Sequence, residues 1–187
     1  DPDAFWGNSG NGEPRSGGWD MSLNSSENTV TSNQAHNQAI FAQNYYTDRY
    51  IFSVDMTVVN GIYINGEADG IFRAGVCAET KGRSVVAMLF FGEQMENKVA
   101  KVARLNRVGG AWQWTQTFAS KNYPQYDYLA KEKTFNITVI KDLGTFYYIV
   151  EGELLCASNE PDLAGKCSPG VYAMSSVAKF SNPSVTD

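Results

Sequence analysis

Apolar and polar positions alternate along most of this chain. In segment 49–59, Tyr50, Phe52, Val54, Met56 and Val58 fall on one side of a period-two repeat, and Arg49, Ser53, Asp55 and Thr57 on the other. That is the pattern of a strand buried on one face. Segment 69–79 repeats it, with Phe72, Ala74, Val76 and Ala78 on the core side and Ile71, Arg73, Gly75, Cys77 and Glu79 opposite. Further strands are predicted over 84–93, 98–106, 111–119, 134–141, 145–155 and 170–180, with a short one at 38–43 and one more within 18–32. Asn60-Gly61, Asn65-Gly66, Lys81-Gly82-Arg83, Gly109-Gly110 and Asp142-Leu143-Gly144 punctuate them as turns. No stretch sustains the i, i+3, i+4 apolar spacing of a helix. About ten strands with short turns predict an all-β, two-sheet antiparallel jelly-roll sandwich, its first and last strands adjacent. Segment 84–93 is apolar on both faces and is expected at the centre of a sheet, so one sheet is expected to carry something on a concave face.

The first 18 residues are rich in Gly, Asn and Pro and read as an extended lead-in, with Trp6 able to pin it, before a jelly-roll domain over 19–187. The length of 187 residues suits one domain with a sizeable core. A hydrophobic content of 43% with 19% charged residues is that of a folded chain. The net charge of −5 argues against nucleic acid and anionic membrane as partners, since phosphate binding needs a basic stripe. No apolar run approaches the roughly 18 residues of a membrane span. The sequence starts at Asp1 with no leader pattern, so a signal peptide is expected to be gone or not included, and the chain reads as a module of a longer protein.

The order of signals resembles the concanavalin A-like lectin/glucanase superfamily. The residues that carry it are Trp19; Thr47-Asp48-Arg49-Tyr50; Asp69-Gly70-Ile71-Phe72-Arg73-Ala74; Lys101-Val102-Ala103-Arg104-Leu105-Asn106-Arg107; and Gly110-Ala111-Trp112. TFNITVIKD, TFYYIVEGELL, Gly170-Val171-Tyr172 and Lys179-Phe180-Ser181-Asn182 continue it to about Val185. Within that superfamily the chain looks most like sandwich modules attached to glycoside hydrolases, such as fructan-binding modules and the C-terminal sandwich of family 32 enzymes. The resemblance implies a jelly roll and an oligo- or polysaccharide partner. It does not choose a ligand, because one fold hosts many functions.

The chemistry present favours binding over catalysis. A retaining glycosidase needs two carboxylates about 5 Å apart, and no Glu-x-Asp-x-x-Glu run supplies them. Glu67, Asp69, Glu93 and Glu96 sit at turns, where solvated acids are ordinary. The single His36 stands in a polar stretch and completes no triad. A sugar wants aromatic rings for its C–H faces and rigidly placed polar groups for its hydroxyls. Arg73 and Glu79, on one face of their strand, are the first candidates, against the alternative of a solvated ion pair. Tyr147 faces outward on its strand while Phe146, Tyr148 and Val150 look inward, which makes it a candidate stacking ring. The loop 122–128 adds Tyr123, Tyr126 and Tyr128. Trp112 and Trp114 share a strand face and are weighed toward the core.

Cys156 and Cys167 bracket a turn-rich segment and are expected to form a disulfide, with Cys77 reduced and buried. Such a bridge suits a secreted or cell-surface protein. Calcium is left open, with Asp20, Asp48, Asp69 and Asp187 as candidate ligands. No other cofactor is implied. Asn24-Ser25-Ser26 and Asn136-Ile137-Thr138 are glycosylation sequons, and Asn136 is expected to face outward. The reading is a non-catalytic carbohydrate-binding or lectin-like domain of an extracellular multidomain protein, binding glycan on a concave sheet face or the adjacent loops. The alternatives are a glycoside hydrolase or polysaccharide lyase with unrecognised catalytic residues, and a protein-binding adhesin or structural sandwich.

Overall fold

A computed structural model describes residues 5–8, 19–21, 27–33, 38–61, 72–79, 84–93, 97–108, 111–122, 134–174 and 176–187. From 79 to 122 the description is one of backbone and register. Among these residues the strands form two antiparallel sheets. The first has seven strands in the order β1 (Trp6–Gly7), β3 (Gln38–Ala42), β12 (Ser168–Met174), β5 (Phe72–Glu79), β6 (Ser84–Glu93), β7 (Asn97–Val108) and β8 (Ala111–Asn122). The second has six, in the order β11 (Glu153–Asn159), β10 (Thr145–Val150), β9 (Thr134–Asp142), β4 (Arg49–Gly61), β13 (Ser176–Thr186) and β2 (Val30–Thr31). The expected sandwich is therefore present.

The core lies between the sheets and is built from the alternation. Tyr50, Phe52, Val54 and Met56 of β4 meet Phe135, Ile137 and Val139 of β9 and Phe146, Tyr148 and Val150 of β10, all buried. Ala74, Val76 and Ala78 of β5 and Val171 and Ala173 of β12 close it from the other sheet. Side chains of period-two strands reach the interior at every second residue, so one face of each sheet is committed to the core.

Three expectations change. Segment 145–155 is two strands, because Glu151 and Gly152 take positive φ of 50° and 79° and reverse the chain into β11. Segment 170–180 is also two strands: β12 pairs with β3 and β5, whereas β13 pairs with β4 and β2 in the other sheet. The strand expected within 18–32 does lie beside the last one, as β2 on β13. Ahead of it comes β1, which pairs with β3 and is not adjacent to the last strand. The lead-in thus contributes Trp6 to the core: it is 1% exposed, its Nε1 donates to the Asn28 carbonyl at 2.7 Å, and its ring meets Phe52 edge-on.

The alternation also delivers a cation to the interior. Lys141 follows Phe135, Ile137 and Val139 at the inward positions of β9 and is 1% exposed. Its Nζ donates to the carbonyls of Asp48 at 3.0 Å, Leu143 at 2.6 Å and Gly165 at 2.9 Å, and lies 5.4 Å from the centre of the Phe146 ring. An ammonium has three donors, and all three are used. Burial pulls its pKa below the usual lysine value, with Cys167, Asp48 and Asp142 opposing that fall. Burial likewise pushes the Tyr50 hydroxyl well above its ordinary range, with Cys167, Tyr148 and Cys77 adding to the rise.

Replacing Lys141 by Met leaves three buried carbonyls without their donor and should lower stability by about 3 kcal/mol in urea unfolding; a change below about 1 kcal/mol would mean that water reaches them.

The two shifted groups act in different pH windows. Below its ordinary pKa of about 10, Tyr50 is protonated in folded and unfolded chains alike. Above it, only the unfolded chain releases the proton, so stability falls with rising pH. Lys141 acts oppositely: just below the ordinary lysine value the unfolded chain holds more protons, so its contribution rises with pH there. Chemical unfolding measured from pH 8 to 11 should therefore show a loss of stability above about pH 10 that is reduced in Tyr50→Phe. An identical loss in that variant would assign it to other groups.

Candidate binding site

Arg73 and Glu79 stand at opposite ends of β5. They lie six residues apart in an unbroken strand, about 20 Å, so they form neither an ion pair with each other nor a single small pocket. Cross-strand register sets Arg73 in a row with Met174, Phe91, Val99 and Asn122. It sets Glu79 in a row with Ser168, Val85, Leu105 and Trp114. The side chains of Arg73 and Glu79 lie outside the described residues, as do Tyr123, Tyr126, Tyr128, His36 and Asp69. Between the two ends, Gly75 and Cys77 are buried, and so are Phe41 and Tyr172 in the adjoining rows. The Phe41 ring lies across Gly170, where an added Cβ would meet its Cδ1 at 2.6 Å. The middle of this face is therefore filled over β3, β12 and β5. The row that ends in Trp114 is a signal the alternation alone did not attach to Glu79, because it depends on the pairing of four strands.

Tyr147 belongs to the other sheet. It faces outward from β10, as expected, and is 37% exposed. Its row across the six-stranded sheet is Thr186, Ile51, Ile140, Tyr147 and Ala157. The next row is Ser184, Ser53, Thr138, Ile149 and Leu154. Ile51 is 46% and Leu154 56% exposed. Beyond these comes a hydrogen-bonded polar row. Asn136 Nδ2 donates to Asp55 Oδ1 at 3.0 Å and to Ser53 Oγ at 2.9 Å. Thr138 Oγ1 donates to Asn136 Oδ1 at 2.9 Å, and Asn182 Nδ2 donates to Asp55 Oδ2 at 3.1 Å.

Backbone irregularities aim both ends of that row. Asn182 has φ of 50° and sits where the β13–β4 register shifts between Ser181 and Ser184. A bulge of this kind re-aims a side chain. At the other end Glu151, also at φ 50°, turns its carboxylate back so that Asn136 N–H donates to Oε1 at 2.6 Å, while its own N–H donates to the Asn136 carbonyl. The sequon residue Asn136 is thus outward-facing and already engaged. An exposed ion pair, Arg49 Nε to Asp142 Oδ1 at 2.9 Å, closes the opposite margin.

The expected Cys156–Cys167 bridge is not formed. Cys77 and Cys167 are buried thiols. The reason is the path of the chain around Cys167. Its backbone pairs with Thr47 in both directions, and its Sγ turns toward the carbonyls of Leu163 and Gly165 in its own loop. Cys156 is held in β11, in register with Tyr148. Without the bridge, cysteine usage no longer points to an oxidising compartment. Among the described residues no three His, Cys, Asp or Glu side chains gather as a metal site, and no helix is long and apolar enough to cross a membrane.

No protein-family model matches the sequence, and no curated protein does. Solved structures do resemble it in fold. The carbohydrate-binding module CBM66 from Bacillus subtilis superposes with a TM-score of 0.69 at 10% identity, over 98% of this chain and 96% of that one. A Bacillus subtilis protein of unknown function with a galectin-like fold gives 0.62 at 12% identity, over 96% and 88%. A lactose- and MES-liganded Congerin II gives 0.50 at 12% identity, over 73% and 90%. At these identities the likeness is one of fold, and it agrees with the expected jelly-roll sandwich.

Alkylation without reductant should leave Cys77 and Cys167 unmodified in the folded protein and label both once it is denatured. A Cys156–Cys167 bridged peptide in a non-reducing digest would restore the disulfide.

Proposed function

We propose that this chain is a non-catalytic carbohydrate-binding domain with a concanavalin A-like jelly roll, acting in an extracellular multidomain protein and taking oligo- or polysaccharide. The observation that carries the reading is the near full-length likeness to a carbohydrate-binding module, 98% of one chain on 96% of the other. The more partial likeness to a lactose-liganded Congerin II adds to it. Such domains work by placing rigid polar groups and ring faces on a sheet, which is what a sandwich of long paired strands offers.

The glycan site of this reading takes the outer face of the seven-stranded sheet together with segment 123–128, which follows β8 in sequence. The filled centre over Phe41 and Tyr172 moves contact toward the ends and toward β6–β8. Arg73 supplies a planar donor fork at one end. At the other, Glu79 shares its row with Trp114, whose ring type suits the C–H face of a sugar. Tyr123, Tyr126 and Tyr128 belong to the same reading as loop contacts. A secreted or cell-surface location goes with it.

The test is binding of the purified domain to immobilised levan, to lactose and to a wider glycan array, with a reducing-end assay run on the same polysaccharides. Binding without new reducing ends is the expected result. Arg73→Ala should weaken binding by roughly two- to tenfold, with an unfolding midpoint nearly unchanged. Release of reducing ends would replace the reading with a hydrolase, and failure to bind any glycan would remove it.

A further inference from the structure

We propose that the domain carries a second glycan-binding surface on the outer face of the six-stranded sheet, so that one chain is bivalent for polysaccharide. This rests on the glycan-binding reading above and adds a site on the opposite side of the sandwich.

The composition of that face is the starting observation. The centre of an ordinary solvated sheet is covered by long charged side chains. Here the three central rows hold Ile51, Ile140, Tyr147, Ile149 and Leu154, and the short polar residues Ser53, Asp55, Asn136, Thr138 and Ser184. Arg49, Asp142, Lys179 and Glu151 stand at the margins. Loss of long charged residues from the centre of a patch, with an aromatic residue kept, is the compositional mark of a binding surface. Exposure of Ile51, Tyr147 and Leu154 in two adjacent rows makes the patch contiguous.

The polar row specifies the occupant. Asp55 is held through both oxygens, by Asn136 and by Asn182, and Asn136 is held in turn by Thr138 and by the returning Glu151 carboxylate. Carboxylate, amide and hydroxyl groups thus stand in one fixed array. Their side-chain order is established before any ligand arrives, which lowers the entropy cost of binding. A carboxylate oxygen has more than one lone-pair direction, so Asp55 can accept from a ligand hydroxyl while keeping its amide partners. The Tyr147 row lies four residues along the strands from the Asn136 row, about 13 Å. That span exceeds one sugar ring and fits a short oligosaccharide laid along β9 and β10. One ring would stack on Tyr147, its neighbour would cross Ile149 and Thr138, and the next would meet Asp55, Asn136 and Asn182. The occupant is a neutral, hydroxyl-rich chain: the groups of the array are amides, hydroxyls and carboxylates, Lys179 stands one row beyond them, and Arg49 is already paired with Asp142.

The experiment counts sites. Levan and a lactose-bearing neoglycoprotein are the probes, with calorimetric stoichiometry and cross-linking of the polyvalent probe as readouts. Wild type should bind two glycan segments per chain and cross-link the probe as a monomer. Tyr147→Ala with Asp55→Ala should leave one site and abolish cross-linking. Tyr147→Ala alone, an exposed change that leaves the polar row intact, should weaken the second site by roughly two- to tenfold. Arg73→Ala should weaken the other site and spare this one. One site in wild type with no effect of Tyr147→Ala or the double variant overturns the proposal and leaves the glycan reading standing. Complete loss of binding in the folded double variant places the sole site here and overturns bivalence. No binding of either probe or the array by wild type removes both readings together.

Discussion

The ammonium of Lys141 is the point on which one end of the sandwich depends. Its three carbonyl partners belong to the approach to β4, to the β9–β10 turn and to the loop before β12. Those segments are also joined by backbone bonds, Leu143 N–H to the Asp48 carbonyl, Glu160 N–H to the Gly144 carbonyl and the paired bonds between Thr47 and Cys167, and by Ser168 Oγ donating to the Tyr45 carbonyl and the Arg49–Asp142 ion pair. A buried charge is tolerated only when its donors are satisfied. The site therefore demands that all three segments be in place at once. The order runs from the cation to its carbonyls, and from them to the start of β4, the return of β10 and the entry of β12.

That closed end lets the remaining alternation divide cleanly. With one face of each sheet committed to the core, each outer face is left to whatever chemistry its sequence carries. The two outer faces differ in kind. On the seven-stranded sheet, Phe41 and Tyr172 are buried over β3 and β12. On the six-stranded sheet, an apolar band lies beside a row of mutually held polar groups, aimed by two residues of positive φ. Strain of that kind is kept where the surroundings determine it, and it gathers at places that bind.

Much of this was legible before any fold was known. Strand alternation identified the core residues of β4, β5 and β10 and the outward direction of Tyr147 and Asn136, because period two is a local property of extended backbone. Local pattern failed where the chain changes sheet or reverses at Glu151-Gly152. Glu151 is not a residue that announces a turn, so β10 and β11 read as one strand. Nothing local separates β12 from β13, since both are apolar and alternating. Lys141 ends the strand expected over 134–141, and its parity with Val139 is the local sign of its burial. The expected disulfide rested on spacing alone, which carries no information on where a thiol points.

The sequence by itself determined the class of fold and which face of each principal strand is buried, since both follow from residue-by-residue alternation. It also determined the chemical repertoire: few charges, many rings and a single histidine. Tertiary structure decided which of those groups meet. It separated Arg73 from Glu79 by the length of β5, put Tyr147 on the opposite sheet from both, and set Trp114 in the row of Glu79. It also gathered Asp55, Asn136 and Asn182 from three strands distant in sequence. The physical reason is register: a cross-strand neighbour is fixed by hydrogen-bond pairing between segments up to 150 residues apart, as for Phe180 and Val30, and no local pattern encodes that pairing.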